Sequence, residues 1–283
     1  MNFKSIEEKI FKILMIGATL TVFAFVISII YSIASKGWNA LSWNLITRVG
    51  GYDLYAQWEG SGFLSAIVGS LYIVGASTLL GLLISIPVVF YLNVYLKKRS
   101  KMAYVARIAY DVLFGIPSIV YGAFGFTIML YLGMRGSLIS GIVVVTLLII
   151  PIFIRSMDEV ARQFPRDILE AAYSLGATRF ETIFVVLRQI APGIATASLL
   201  SIGRAIGDAA SVMLTAGYTD HIPTSLTQPV GTLPMLVFNL YSQPSPEAQE
   251  RGYSAALVLT LIVLTLSISG RFITNRFSKN KLQ

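Results

Sequence analysis

Five predominantly apolar stretches of this chain run for 19 residues or more without a charged side chain: 13–35, 60–96, 112–134, 136–154 and 252–270. About 20 apolar residues, rising 1.5 Å each in a helix, cross the roughly 30 Å hydrocarbon layer of a bilayer. A sixth apolar segment, 192–217, is interrupted only by Arg204 and Asp208. One soluble core cannot hide that much apolar surface, so the bilayer is the expected solvent. Composition agrees: 55% of the 283 residues are hydrophobic and 13% are charged, where a soluble domain carries about 25% charge. Disorder, a collagen-like fibre and an ordinary soluble enzyme are excluded.

The charges then report topology. The net charge is +8, which could indicate nucleic acid or membrane; the hydropathy decides for membrane lipid and against nucleic acid. Lys4, Lys9 and Lys12 precede the first apolar run, and Lys97, Lys98, Arg99, Lys101 and Arg107 follow the run 60–96. Basic residues mark the cytoplasmic side, so an even number of crossings separates these clusters. The 37-residue run therefore crosses once. Gly60-Ser61-Gly62 reads as a break, followed by a short interfacial helix and a span over about Ser70–Leu96. The result is six spans with both termini cytoplasmic. Seventeen Lys and Arg then lie inside, while Lys36, Arg48, Arg135 and Arg251 lie outside. The first apolar run, 23 residues long, exceeds the about 7–15 of a signal-peptide core and reads as an uncleaved helix.

The inside segment between Arg155 and Pro192 is patterned rather than a plain linker. Pro165 and Asp167 suit a helix start. Good helix formers follow through Leu175, and Gly176 is the expected stop, since it tolerates positive φ. Thr178-Arg179-Phe180-Glu181 reads as a capping box that opens the next helix. A short helix with small residues at its middle suits docking into a groove; a surface helix that merely joins two spans has the same pattern.

Glu170-Ala171-Ala172, three further residues and then Gly176 resemble the EAA loop of ABC importer permeases. The general pattern continues to Leu-Pro, where this chain has Arg188-Gln189. Asp111 to Gly122, Tyr91-Leu92-Asn93-Val94-Tyr95, Ala171 to Thr178 and Gly203 to Gly217 are similar to segments of phosphate importer permeases. Gly231 to Phe238 looks like the A-type subunit more than its C-type partner. Val94 stands where that family usually has an acid, and Asp208 where it usually has Glu. The resemblance implies an all-α polytopic membrane protein, with six transmembrane helices in a type I ABC importer permease fold. Residues 1–283 would form one permease domain in the inner or plasma membrane. Its coupling loop would lie within 155–192, and its external loops over about 36–61 and 218–252. Glu170, Ala171, Ala172 and Gly176 would form a coupling helix that inserts into a separate ATP-hydrolysing subunit. The implied partners are a C-type permease, two ATPase copies and an extracytoplasmic phosphate-binding protein.

Arg204 and Asp208, four residues apart, would share a helix face and could pair. Intramembrane charge is costly and usually lines a pathway. A guanidinium fork suits phosphate oxygens, with Asp208 holding it in place; a buried ion pair that fixes packing is the alternative. Gly115, Pro117 and Ser118 mark span three, where a proline kink is expected. Local unwinding there would instead expose backbone donors to an anion. Gly75, Gly81, Gly122, Gly125 and Gly141 suit close helix packing, and Trp38, Trp43 and Trp58 suit an interface belt.

With no Cys and a single His, His221, no metal cluster or thiol chemistry is available. No cofactor is expected and no catalytic residue stands out. A glycine-rich loop ending in Gly-Lys-Ser or Gly-Lys-Thr is absent, so ATP needs a partner subunit. The expected function is half of an ATP-driven phosphate pathway. A permease for another oxyanion, such as sulfate or molybdate, and a self-sufficient secondary transporter are the alternatives.

Overall fold

The computed structural model describes residues 3–50, 61–96, 100–134, 136–163 and 165–278. Trp58, Gly60, Lys97, Lys98, Arg99 and Arg135, each used above, lie outside the described residues. The elements are α1 (Phe3–Ala40), α2 (Trp43–Thr47), α3 (Leu64–Phe90), a π turn (Tyr91–Tyr95), α4 (Lys101–Gly115) and α5 (Ser118–Tyr131). They continue with α6 (Leu138–Arg162), α7 (Arg166–Ser174), α8 (Arg179–Ile206), α9 (Ala210–Thr215), α10 (Leu233–Tyr241) and α11 (Pro246–Ser278). Among the described residues, four helices are long and apolar enough to cross a membrane, or up to six if each of two bent pairs counts as one span.

Helix α6 is the axis. Val145, Ile149, Phe153 and Met157 have no exposed surface; their spacing of four keeps them on one stripe. They pack against α3, α4 and α8 in a single cluster. Ser137 starts the helix by accepting from the Ser140 N–H at 3.3 Å, an N-cap bond. Glycines let the neighbours close in. A methyl group at Gly81 would meet Phe153, one at Gly125 Val144, and one at Gly141 Ala216 and Ile73. Gly75 faces open space instead, so the packing role expected for it is not found.

A second cluster closes the end of the bundle remote from α7: Leu45 of α2, Phe63 and Ala66, Leu233, Leu236 and Leu240 of α10, and Ala248 and Ala255 of α11. This cluster explains one correction. No separate interfacial helix precedes span two, because α3 is continuous from Leu64. Its first turns are already buried, with Ser65, Ala66, Gly69 and Ser70 facing inward. The Ser70 hydroxyl also accepts from the Leu233 N–H at 2.8 Å.

Span three is broken rather than kinked. Helices α4 and α5 meet at 99°, and Ile116 and Pro117 between them are extended, with ψ of 131° and 141°. Proline disfavours helical backbone at the residue before it and has no N–H of its own to continue the ladder. Span five departs differently. Its helix starts at Arg179, bends by 65° between the stretches 179–188 and 190–206, and stops at Ile206, short of Asp208.

Candidate functional site

Helix α7 stands at one end of the bundle, where the loop pattern put it. Pro165 occupies the N-cap position and Asp167 the first turn, which complements the positive end of the helix dipole. The helix ends where Gly176 takes φ +86°. The Gly176 N–H donates to Tyr173 O and the Ala177 N–H to Ala172 O, both at 3.0 Å. The next helix opens on a full capping box. The Glu181 N–H donates to the Thr178 hydroxyl at 3.3 Å, and the Thr178 N–H donates to Glu181 Oε2 at 2.8 Å. That backbone bond, joined by one from the Thr178 hydroxyl, holds the Glu181 carboxyl below the usual carboxylate range.

The face of α7 is open. Glu170 and Ala171 are exposed, Ala172 is half-buried, and Leu175 is 88% exposed. The helix packs chiefly on α8 and sends Leu169 towards the core. Beneath it lies a cavity of about 630 Å³ between the π turn, α4, the end of α6 and α8, lined among others by Asn93, Arg107, Glu159, Arg162 and Leu169.

Arg204 and Asp208 do not pair, contrary to the i, i+4 expectation. Helix α8 ends between them, with Gly207 as its C-cap. Asp208 turns towards α9 and accepts from the N–H of Ser211, at 3.3 Å, and from its hydroxyl. Asp208 is 8% exposed, whereas Arg204 is exposed near the end of α8. Gly115 and Ser118 flank the break in span three, and Gly115 has open space around its Cα. Tyr121 donates to Leu113 O at 2.9 Å across that break. Arg155 of α6 reaches the same region, 3.5 Å from Asp111 and 4.8 Å over the Phe114 ring.

The most connected polar group was missed by the sequence reading. Asp158 is 1% exposed and accepts from Arg107 Nε at 2.9 Å, Arg107 Nη2 at 3.1 Å, Tyr110 Oη at 2.7 Å and Asn93 Nδ2 at 2.7 Å. The bidentate guanidinium is the strong form of this contact. Arg107 had counted only as a topology marker, and Asp158 lay past the end of its uncharged run. A signal was present: Ile154, Asp158 and Ala161 continue the inward stripe of α6 at helical spacing. Arg179 belongs to the same neighbourhood, donating to Tyr95 O at 3.1 Å with its guanidinium 5.9 Å from the Tyr95 ring.

Comparison with known proteins places this arrangement. The family model described as binding-protein-dependent transport system inner membrane component matches residues 85–282. The chain is 32% identical over 276 residues to the phosphate transport system permease protein PstA of Yersinia pestis, covering 97% of this chain and 91% of that protein. It is 31% identical to PstA of Haemophilus influenzae, covering 86% and 85%. Among solved structures, a chain of a bacterial alginate ABC transporter superposes with a TM-score of 0.71 at 13% identity, covering 99% of both chains. A chain of the MetNI methionine ABC transporter, in an inward-facing conformation, gives 0.63 at 18% identity, covering 75% of this chain and 94% of that one. The structural likenesses establish the fold: an all-α, multi-pass membrane architecture.

Proposed function

The chain belongs to the family of binding-protein-dependent transport system inner membrane components, and from that premise we propose that it is the A-type transmembrane subunit of an ATP-driven importer of inorganic phosphate. The observation that carries the substrate is the likeness to PstA proteins, which extends over nearly the whole of both chains. Two such permeases, this one and a C-type partner, would enclose the pathway. ATP hydrolysis belongs to a pair of separate subunits, and phosphate arrives on an extracytoplasmic binding protein.

The geometry supports a division of labour. Helix α7 has an open face, two firm ends and little packing beneath it, which suits insertion into a cleft of an ATPase subunit. Its residues Glu170, Ala171 and Ala172 would fill that cleft, and Gly176 would set its angle. In this reading the α7 end is cytoplasmic, as are both termini. The remote end, which carries α2 and α10, receives the binding protein through the external loops expected over about 36–61 and 218–252, of which residues 51–60 lie outside the described residues. Arg204 is exposed near the end of α8, where a guanidinium would meet a phosphate anion. Because Asp208 does not neutralise it, the charge is available to a ligand. The break at Gly115, Pro117 and Ser118 gives the pathway wall a hinge.

Reconstitution of the four-component complex in liposomes tests the reading. Uptake of radiolabelled phosphate should require ATP and the binding protein, and a large excess of sulfate or molybdate should not compete. Competition by sulfate would reassign the substrate; uptake without the ATPase would remove the importer reading altogether. Reporter fusions to Gln283 and to the segment 219–250 should report opposite sides, with the C-terminus inside.

A further inference from the structure

The π turn Tyr91–Tyr95 continues α3 and packs against α6 and α8. Backbone of this type is uncommon and concentrates at functional positions. Here it is fastened on two sides. On one side Arg179, in the first turn behind α7, donates to Tyr95 O at 3.1 Å. On the other, Asn93 Nδ2 bridges Val89 O at 2.9 Å and Asp158 Oδ1 at 2.7 Å. Asp158 in turn grips Arg107 and Tyr110 of α4, the helix that leads into the 99° break. The direct route from α7 to α4 is interrupted by the cavity of about 630 Å³, lined by Leu169 on one wall and Arg107 on the other. Apart from Leu169, which reaches the core, movement of α7 has little to push against except α8, whose Arg179 holds the π turn.

We propose that Arg179 and Asn93 are positioning residues for energy coupling: together with the π turn they carry displacement of the coupling helix to the Asp158–Arg107–Tyr110 cluster and so to the broken span α4–α5. This rests on the reading of α7 as the coupling helix. The ends of the route have different strengths. The cluster is buried and bidentate, so it moves as a unit. The Arg179 bond is exposed, single and made to a backbone carbonyl, so it can re-form after each cycle.

The test uses the full complex in proteoliposomes and reads phosphate imported per ATP hydrolysed. Arg179→Met keeps the side-chain stem and the capping box but loses the bond to Tyr95 O. Asn93→Ala frees the π turn from Asp158 while leaving the Arg107–Asp158 contact in place. Both variants should co-purify with the ATPase and hydrolyse ATP, yet import about tenfold less phosphate per ATP. The double variant should be no worse than the more damaging single one, because both bonds lie on one route. Arg179→Lys, which can still reach the carbonyl, should recover part of the ratio. Wild-type ratios in Arg179→Met and Asn93→Ala would overturn the proposal, as would fully multiplicative losses in the double variant. Gly176→Val separates this from failure of the underlying reading. If Gly176→Val also keeps wild-type ATPase binding and coupling, α7 is not the coupling helix. If it loses them while Arg179→Met does not, α7 couples by another route.

Discussion

Asp158 Oδ2 lies 2.9 Å from Arg107 Nε across 51 residues of sequence, and this bond joins the central helix α6 to the helix before the break. The ion pair of Arg155 with Asp111, one turn away on α6, is 3.5 Å long and about half-exposed at both partners. The two pairs differ in what surrounds them rather than in chemical type. Removing one partner from a buried pair leaves an uncompensated charge, at about 3–5 kcal/mol. An exposed pair contributes about 0–1 kcal/mol.

Arg107→Met should therefore lower the thermal unfolding midpoint of the purified protein far more than Arg155→Met. Asp158→Ala should be as severe as Arg107→Met, and Asp158→Asn milder, because the amide still accepts from Tyr110. Detergent-solubilised protein monitored by intrinsic fluorescence gives the comparison. Equal midpoints for the two arginine variants would contradict the burial argument.

Glycines on α3 and α5 predict opposite outcomes for the same substitution. A methyl group at Gly122 would sit 2.7 Å from Ser211 Cα, which is backbone and cannot swing aside, whereas one at Gly75 meets nothing within 4 Å. Gly122→Ala should push α5 off α9 and destabilise by about 1–3 kcal/mol. Gly75→Ala should be neutral or slightly stabilising, since alanine is the better helix former. Paired unfolding curves check the sign of each.

At Gly176 the side chain has room but the backbone does not. No atom lies within 4 Å of an added Cβ, yet φ is +86°. The cost of Gly176→Val is then conformational, about 1–2 kcal/mol, and falls on the stop after α7. Gly176→Asn should be milder, as Asn tolerates left-handed backbone. The expected order of ATPase co-purification is wild type, Asn, then Val, with membrane insertion unchanged in all three.

Arg204→Ala should barely alter unfolding, because the side chain is exposed and makes no ion pair among the described residues, but it should abolish phosphate uptake. Arg204→Lys keeps the charge and loses the planar fork, so transport should fall while assembly is normal. Adding an apolar replacement of Asp208 should not restore transport, since there is no pair to repair. Recovery of uptake in the double variant would make Arg204 a packing residue. Uptake at matched protein levels in liposomes measures all three.

Much of the architecture was legible because bilayer physics writes it in runs and charges. Uncharged stretches of span length located α1, α6 and α11, and Pro165, Gly176 and the Thr178–Glu181 box marked the ends around α7 to the residue. Local signals failed where a distant partner decided. Nothing near Leu64 says that α10 covers the first turns of α3. Nothing in Arg204-x-x-x-Asp208 says that the helix ends at Ile206 and hands Asp208 to Ser211. Pro117 announced a disturbance, but its 99° extent depends on α6 and α9 packing against α5. The Asp158 cluster draws on three segments, at 93, 107–110 and 158. Each of its residues has an ordinary local explanation, and their meeting is visible only in three dimensions.

Helix α1 has no buried stretch and packs on α11. Its end is stitched there by Ser254 Oγ donating to Gly37 O at 2.8 Å and by Lys36 Nζ, 4.8 Å over the Tyr253 ring. Helix α1 thus finds its partner 217 residues further along the chain. During synthesis it must wait alone among lipids while the rest of the bundle is made, kept in place by its own hydropathy. Docking of α1 on α11 is then a late, long-range event, slow because most of the bundle lies between them in sequence. Shortening the chain before residue 253 should leave a bundle whose centre has formed and whose first helix drifts unpaired.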